Sequence, residues 1–217
     1  MVSLVNADIF ADLEQAFARQ SLFLCGREVR LKEWAGGRIL NNACDRYLYC
    51  LSRKKIKHYP SNILMNSDEY TSFLVFLASE AYLSQCNELA ELVYVLNRKL
   101  HSFECFYTRE IPDLFHLVHP LGSVLGQAAF DNYLVVYQGV SVGGDMKIRY
   151  PSLGEGVALF ANSTVLGKAV IGSNCAIGAG VQVYGGIVSD GSSLSLRDGL
   201  GQVTSDISWS VKDRFFK

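Results

Sequence analysis

Residues Leu153 to Val188 read LGEGVA, LFANST, VLGKAV, IGSNCA, IGAGVQ and VYGGIV, six consecutive blocks of six residues. The first positions, Leu153, Leu159, Val165, Ile171, Ile177 and Val183, are all aliphatic. The fifth positions, Val157, Ser163, Ala169, Cys175, Val181 and Ile187, are small or aliphatic. A strand repeats every two residues and a helix every 3.6, so neither alone gives a period of six. A strand that turns a corner every six residues does, and hexapeptide repeats mark a parallel β-helix. Three blocks close one triangular coil, and coils stack at about 4.8 Å. The aliphatic first position should point into the prism, and the fifth should fit where the chain bends.

The repeat also runs backwards. Phe130, Val136 and Val142 lead FDNYLV, VYQGVS and VGG, and DMKIRYPS then interrupts the count before Leu153. Such an interruption reads as a loop extruded from one coil, a place where solenoids often carry function. Before Phe130 the register slips by one residue, and earlier coils are expected from about Phe106.

The chain has 217 residues, 49% of them hydrophobic, with 20 basic and 21 acidic residues. This balance gives no electrostatic footprint for nucleic acid or an anionic membrane. The run Arg53-Lys54-Lys55-Lys57 reads as a solvated helix end. No stretch approaches about 18 unbroken apolar residues, so no membrane span is expected. The start, MVSLVNADIFADLEQ, lacks the basic region of a secretory signal. Six cysteines without CxxC spacing read as reduced thiols in a cytoplasmic protein, with no zinc site. The Asn162-Ser163-Thr164 sequon lies within a block and reads as accidental.

Residues 1–103 follow a different pattern. Val5, Ile9, Leu13 and Phe17 recur at spacing four, a helical stripe that Asn6 or Asp8 can cap. Gly36-Gly37 precedes a helical run from about Ile39 to Arg53, and Tyr59-Pro60-Ser61-Asn62 is turn chemistry. Ser67-Asp68-Glu69 reads as a helix start, and a break near Gln85-Cys86-Asn87 divides the following stretch in two. The expected organisation is an α-helical domain over 1–103, a β-helix over 104–188 and a cap or tail over 189–217. The fold class is α+β. One intimately packed domain remains the alternative. Trp209, Val211, Phe215 and Phe216 are expected to cover the open end of the β-helix, which would otherwise expose unpaired backbone.

Of the four histidines, His58 and His101 read as surface or packing residues. His116 and His119 would lie on opposite faces of an extended coil, and no acid or cysteine at ligand spacing accompanies them, so no metal site is expected. His119 should point outward from the coil. An imidazole with an ordinary pKa near ~6.5 suits a general base at neutral pH.

The stretch LVHPLGSVLGQAAFDNYLVVYQGVSVGG resembles the active-site region of the serine O-acetyltransferases and their relatives in surface-polysaccharide pathways. That family has an H-P segment and a Q-x-V-T-[LIV]-G-G turn; here stand His119-Pro120 and Gln138-Gly139-Val140-Ser141-Val142-Gly143-Gly144. The likeness spans roughly residues 92–186. It implies a left-handed β-helix, a homotrimer that could pair into hexamers, and acetyl-CoA as cosubstrate in a cleft between neighbouring prisms. His119 would be the catalytic base, and Gly143, Gly144, Ala161 and Ala179 would line the acetyl-CoA groove. Val118, Tyr150 and Gln138 would meet the acceptor. The chain departs from the family pattern in two places. It has no D-H pair, the nearest counterpart being Asp131-Asn132, and Tyr150 replaces the histidine of the family's R-H-P segment. These departures favour a sugar or polysaccharide hydroxyl as acceptor, with Val118 and Tyr150 packing on a sugar face. Serine O-acetylation, N-acetylation of an amino sugar and a non-catalytic scaffold are the alternatives. Glu104, Glu110 and Asp113 are the candidate acids for steadying the His119 ring.

Overall fold

The structure is a computed structural model that describes residues 10, 12–55, 62–197 and 201–217. The expectations for Val5, Asn6, Asp8, Ile9, Lys57, His58 and Tyr59-Pro60-Ser61 lie outside the described residues.

Helix α1 (Leu13–Cys25) ends at Gly26, whose φ of 71° closes the helix in the left-handed region. A short 3-10 segment over Leu31–Gly37 leads into α2 (Arg38–Arg53). Helix α3 (Ser67–Leu83) is capped by Asn66, whose side chain accepts from Glu69 N at 3.2 Å. Every residue of α3 from Glu69 to Ala81 is buried, so its apolar composition on all sides reflects a central position. Gln85, with φ of 60°, breaks the chain before α4 (Asn87–His101).

The β-helix follows. Its first face carries β2 (Phe115–Leu117), β5 (Leu134–Val136), β8 (Val157–Leu159), β11 (Cys175–Ile177) and β14 (Ser192–Arg197). The second face carries β1 (Glu104–Cys105), β3 (Val124–Leu125), β6 (Ser141–Gly143), β9 (Thr164–Leu166) and β12 (Gln182–Tyr184). The third carries β4 (Ala129–Phe130), β7 (Ser152–Leu153), β10 (Val170–Ile171) and β13 (Ile187–Val188). All pairings between coils are parallel and in register, as in Ala158 with Ala176 and Thr164 with Gln182. This is a left-handed prism of about five turns.

The first repeat position behaves as expected: Leu159, Val165 and Ile177 are wholly buried, and Leu153, Ile171 and Val183 nearly so. Five of the six fifth positions are buried too. Ile187 departs, at 80% exposed, because the last coil is one residue shorter: Ile187 pairs with the outward Val170, and the buried Val188 takes the inward place of Ile171. The extruded loop falls between β6 and β7, and it lengthens the spacing of paired residues from 18 (Ala158 to Ala176) to 23 (Val135 to Ala158). The one-residue slip appears as a spacing of 19 between Phe115 and Leu134.

The helices and the prism share one continuous buried cluster, running from Leu13 through Phe76 and Phe115 to Leu194. Phe76 of α3 meets Phe115 of β2 at 5.0 Å between ring centroids. Burying a side chain of this size contributes about 1.5–3 kcal/mol.

Two expectations need correction. The parallel coil does not stop at Val188: Ser193 and Leu194 of β14 continue it against β11, and β15 (Gly201–Asp206) folds back antiparallel on β14. The C-terminal aromatics do not plug the prism end. They run back along the outside of the first face, where Val211 and Phe216 pack on Leu114, Val135 and Ala158, with Trp209 and Phe215 beside them. Apolar outward residues on that face explain the difference, because they need covering as much as an open end does. Helix α5 (Val211–Phe215) lies in this segment. Lys54 is likewise no solvated residue: it is wholly buried and paired with Glu69 at 2.9 Å.

Candidate active site

The edge between the first and second faces carries half of the expected site residues. Gly139 N donates to Leu121 O, Asn162 N to Gln138 O and Gly180 N to Ala161 O, each at 2.9 Å. These bonds stack the corners of successive coils, so His119, Gln138, Ala161 and Ala179 rise along one edge. Asn162 and Gly180 stand at φ of 59° and 71°, the left-handed region that asparagine and glycine tolerate best.

His119 lies at the foot of this edge. Its side chain is 75% exposed and its backbone φ is 49°. The expected outward direction is observed, but the expected acids are engaged elsewhere. Glu104 pairs with Arg98 at 3.2 Å, and Asp113 with Arg46 at 3.1 Å. Glu110 is exposed and lines a groove on a different side of the prism. The carboxylate at His119 belongs instead to Asp68 of α3. Its Oδ2 accepts from His119 N at 3.0 Å and stands 3.4 Å from Nδ1. Asp68 is 51 residues away in sequence, and only the packing of α3 against the prism brings it there.

Gly143, Gly144 and Tyr150 lie at the next edge, between the second and third faces. Four to five residues of strand separate the two edges, about 15 Å at the usual rise. Within one chain these residues do not converge with His119. Here the extruded loop is closed by Asp145, whose Oδ1 accepts from Lys147 N at 2.9 Å and Arg149 N at 3.1 Å. Its Oδ2 accepts from Arg149 Nε at 2.7 Å, and these hydrogen bonds hold the carboxyl below its ordinary pKa. Met146 and Ile148 are left 98% and 75% exposed on the loop. Tyr150 is 39% exposed and lies against Gly144.

Asp131-Asn132 stands on the third edge, where Asn132 Oδ1 accepts from Leu114 N at 3.0 Å. It shares no edge with Gln138, whereas His119 does, one coil earlier. Val118 is half-buried and packs into the cluster formed with the C-terminal segment, which covers part of its side chain. His116 points out of the prism beneath Phe215 and Phe216. Burial and the neighbouring Lys54 ammonium lower its pKa to about 3. His101 is half-buried beside Asn97 and Tyr70, and burial lowers its pKa to about 4.

Two large cavities lie away from His119. One of about 660 Å³ sits among Phe10, Leu13 and Leu40 of the helical half. The other, of about 1040 Å³, runs between Arg46 and Glu80 on one side and Phe130, Leu153 and Ile171 of the third face on the other. Among the described residues no group of three or more His, Cys, Asp or Glu is placed to hold a metal, and no helix is long and apolar enough to cross a membrane.

The prism, its corners and its extruded loop define a class, the hexapeptide-repeat β-helix proteins. Residues 150–185 match the family model described as bacterial transferase hexapeptide (six repeats). The chain carries a hexapeptide-repeat segment and resembles the serine acetyltransferases. It is 34% identical over 106 residues to a serine acetyltransferase of Synechococcus elongatus, covering 47% of this chain and 43% of the relative. It is 30% identical over 117 residues to one of Staphylococcus xylosus, covering 52% and 54%. The chain thus spans about half the length of these curated relatives. Among solved structures, serine acetyltransferase of Neisseria gonorrhoeae superposes with a TM-score of 0.67 at 22% identity, covering 91% of this chain and 80% of that one. The Brucella abortus enzyme in complex with coenzyme A gives 0.69 at 16% identity, covering 97% and 85%.

Proposed function

We propose that the protein transfers acetyl from acetyl-CoA to the side-chain hydroxyl of serine. The observation that carries this reading is the exposed imidazole of His119, one coil before the Gln138-to-Gly144 turn and on the same edge as Gln138, in a chain resembling serine acetyltransferases. His119 takes the proton from the hydroxyl as its oxygen attacks the thioester carbonyl. Help of this kind contributes about 10²–10⁴-fold. The tetrahedral oxyanion is received by backbone N–H groups at the Gly143-Gly144 turn. Collapse expels the coenzyme A thiolate, which takes the proton back from His119. Ala161, Ala179 and Gly180 leave little side chain on the edge, so the pantetheine arm can lie close to the backbone.

A sugar acceptor is less well supported. The relatives carry the name serine acetyltransferase, and the C-terminal segment covers part of Val118. Because the two edges are separated in one chain, the site needs His119 from one copy and Gly143, Gly144 and Tyr150 from another. A homotrimer supplies three such clefts. The apolar loop tip of Met146 and Ile148 fits burial at that seam.

The test is thiol release from acetyl-CoA with L-serine, run beside a panel of sugars and amino sugars. Serine-dependent release supports the reading. Release with a sugar alone overturns the acceptor, and failure to bind acetyl-CoA overturns the reaction.

A further inference from the structure

We infer that Asp68 is a positioning residue for His119, held in place by Lys54, Glu69 and the last residues of the chain. The inference rests on His119 acting as the base of the proposed transfer.

Asp68 and Glu69 are adjacent in the first turn of α3, yet their carboxylates point in different directions. Asp68 reaches out to the prism edge and accepts from His119 N at 3.0 Å. That bond fixes the peptide of a residue held in the left-handed region, at φ of 49°, which few non-glycine residues adopt. Ion-pair distance to Nδ1, 3.4 Å, then favours the tautomer with its proton on that nitrogen and leaves Nε2 as the basic atom. Glu69 turns inward and accepts from Lys54 Nζ at 2.9 and 3.2 Å. Burial alone would drive the Lys54 ammonium towards neutrality, but Glu69, with Asp68 beyond it, holds its pKa above the ordinary value.

Lys54 is in turn tied to the C-terminus. It forms an antiparallel bridge with Phe216, flanked by Lys55 N to Phe215 O at 2.8 Å and Lys217 N to Arg53 O at 2.6 Å. Phe216 is buried to 1% exposure on the first face. The C-terminal segment therefore reaches from the far end of the prism to the root of α3. Its contacts run through Lys54 and Glu69 to the residue that holds His119.

The experiment follows backbone amide exchange at His119 and steady-state kinetics together. In the wild-type chain the His119 amide should be protected. In Asp68→Ala it should exchange about ten-fold faster or more, as expected for loss of a hydrogen bond to a charged group. The kcat should fall by about ten-fold while KM for acetyl-CoA stays unchanged. Asp68→Asn, which keeps an acceptor oxygen, should restore most of the protection and only part of kcat. Truncation after Ser210 should also speed exchange at His119. Phe216→Ala serves the same purpose if the truncated chain fails to fold. An unprotected wild-type amide, or one unchanged by Asp68→Ala, overturns the inference. Full activity in His119→Ala with the exchange pattern intact would instead overturn the proposed reaction and leave the Asp68 contact standing.

Discussion

Tyr150 lies directly on the backbone of Gly144: a Cβ built on the glycine would stand 2.8 Å from Tyr150 Cε1 and 2.9 Å from Cδ1. Glycine at 144 is therefore what allows the tyrosine to fold over the turn that is proposed to receive the oxyanion. Gly144→Ala should push the ring away and lower kcat/KM for serine about ten-fold. Tyr150 is partly exposed, so the stability read from urea denaturation should change by less than about 1 kcal/mol. Kinetics and urea denaturation of the same variant check both halves. A normal kcat/KM would show that the position of Tyr150 does not matter.

The Lys54–Glu69 pair is the second prediction. Both side chains are almost completely buried, at 0% and 3% exposed. Glu69→Gln takes the carboxylate away from a buried ammonium and should destabilise by about 3–5 kcal/mol. The double variant Lys54→Met, Glu69→Leu should recover most of that loss, since well-packed apolar replacements of buried pairs are often neutral. Urea midpoints of the three proteins decide the matter. A single variant as stable as wild type would contradict the buried geometry.

Acid should unfold the protein through His116 and His101. Their folded pKa values lie at about 3 and about 4, below the ~6.5 of an unfolded histidine. The unfolded chain therefore binds protons that the fold refuses. This contribution to stability is complete above about pH 6.5 and is lost as pH falls towards 4 and then 3. Two such groups give a slope of up to about 2.7 kcal/mol per pH unit. His116→Phe should flatten the fall in urea midpoint between pH 6.5 and 4. Since Phe215 and Phe216 lie over the His116 ring, protonation there should also loosen the C-terminal segment.

Isoleucines at different positions of the repeat should differ in energy. Ile171→Ala, at an inward position, should cost about 2–5 kcal/mol. Ile187→Ala, at the exposed fifth position of the last block, should change stability by less than about 0.5 kcal/mol. Similar costs at the two positions would place β13 inside a longer solenoid or an assembly contact.

The prism was legible because its period is local: each block states where its own side chains point. Leu159, Val165 and Ile177 are buried for the reason their spacing gives, and the extruded loop lies where the count breaks. The helices were legible from the same kind of signal, as at Ser67 and at the break near Gln85. What escaped was long-range. Asp68 is separated from His119 by 51 residues, and nothing near either one marks the contact. Lys54 reads as solvated within its basic run, and only the pairing of α2's end with Phe216 buries it. The C-terminal aromatics announce that they must be covered, but not which surface they cover. Three faces and an open end all offered apolar residues, and the outward positions Val135 and Ala158 decided it. The edges that carry the expected site residues were also hidden, because a hexapeptide count fixes in or out but not which corners stack along one edge.

The most direct test of the account is the turnover of His119→Ala with acetyl-CoA and L-serine, followed as free thiol release beside the wild-type chain. The account predicts serine-dependent release by the wild type and a loss of about 10²-fold or more in kcat for the variant, with KM for acetyl-CoA little changed. Equal kcat in the two proteins, or a wild-type chain that binds acetyl-CoA but never acetylates serine, would contradict it.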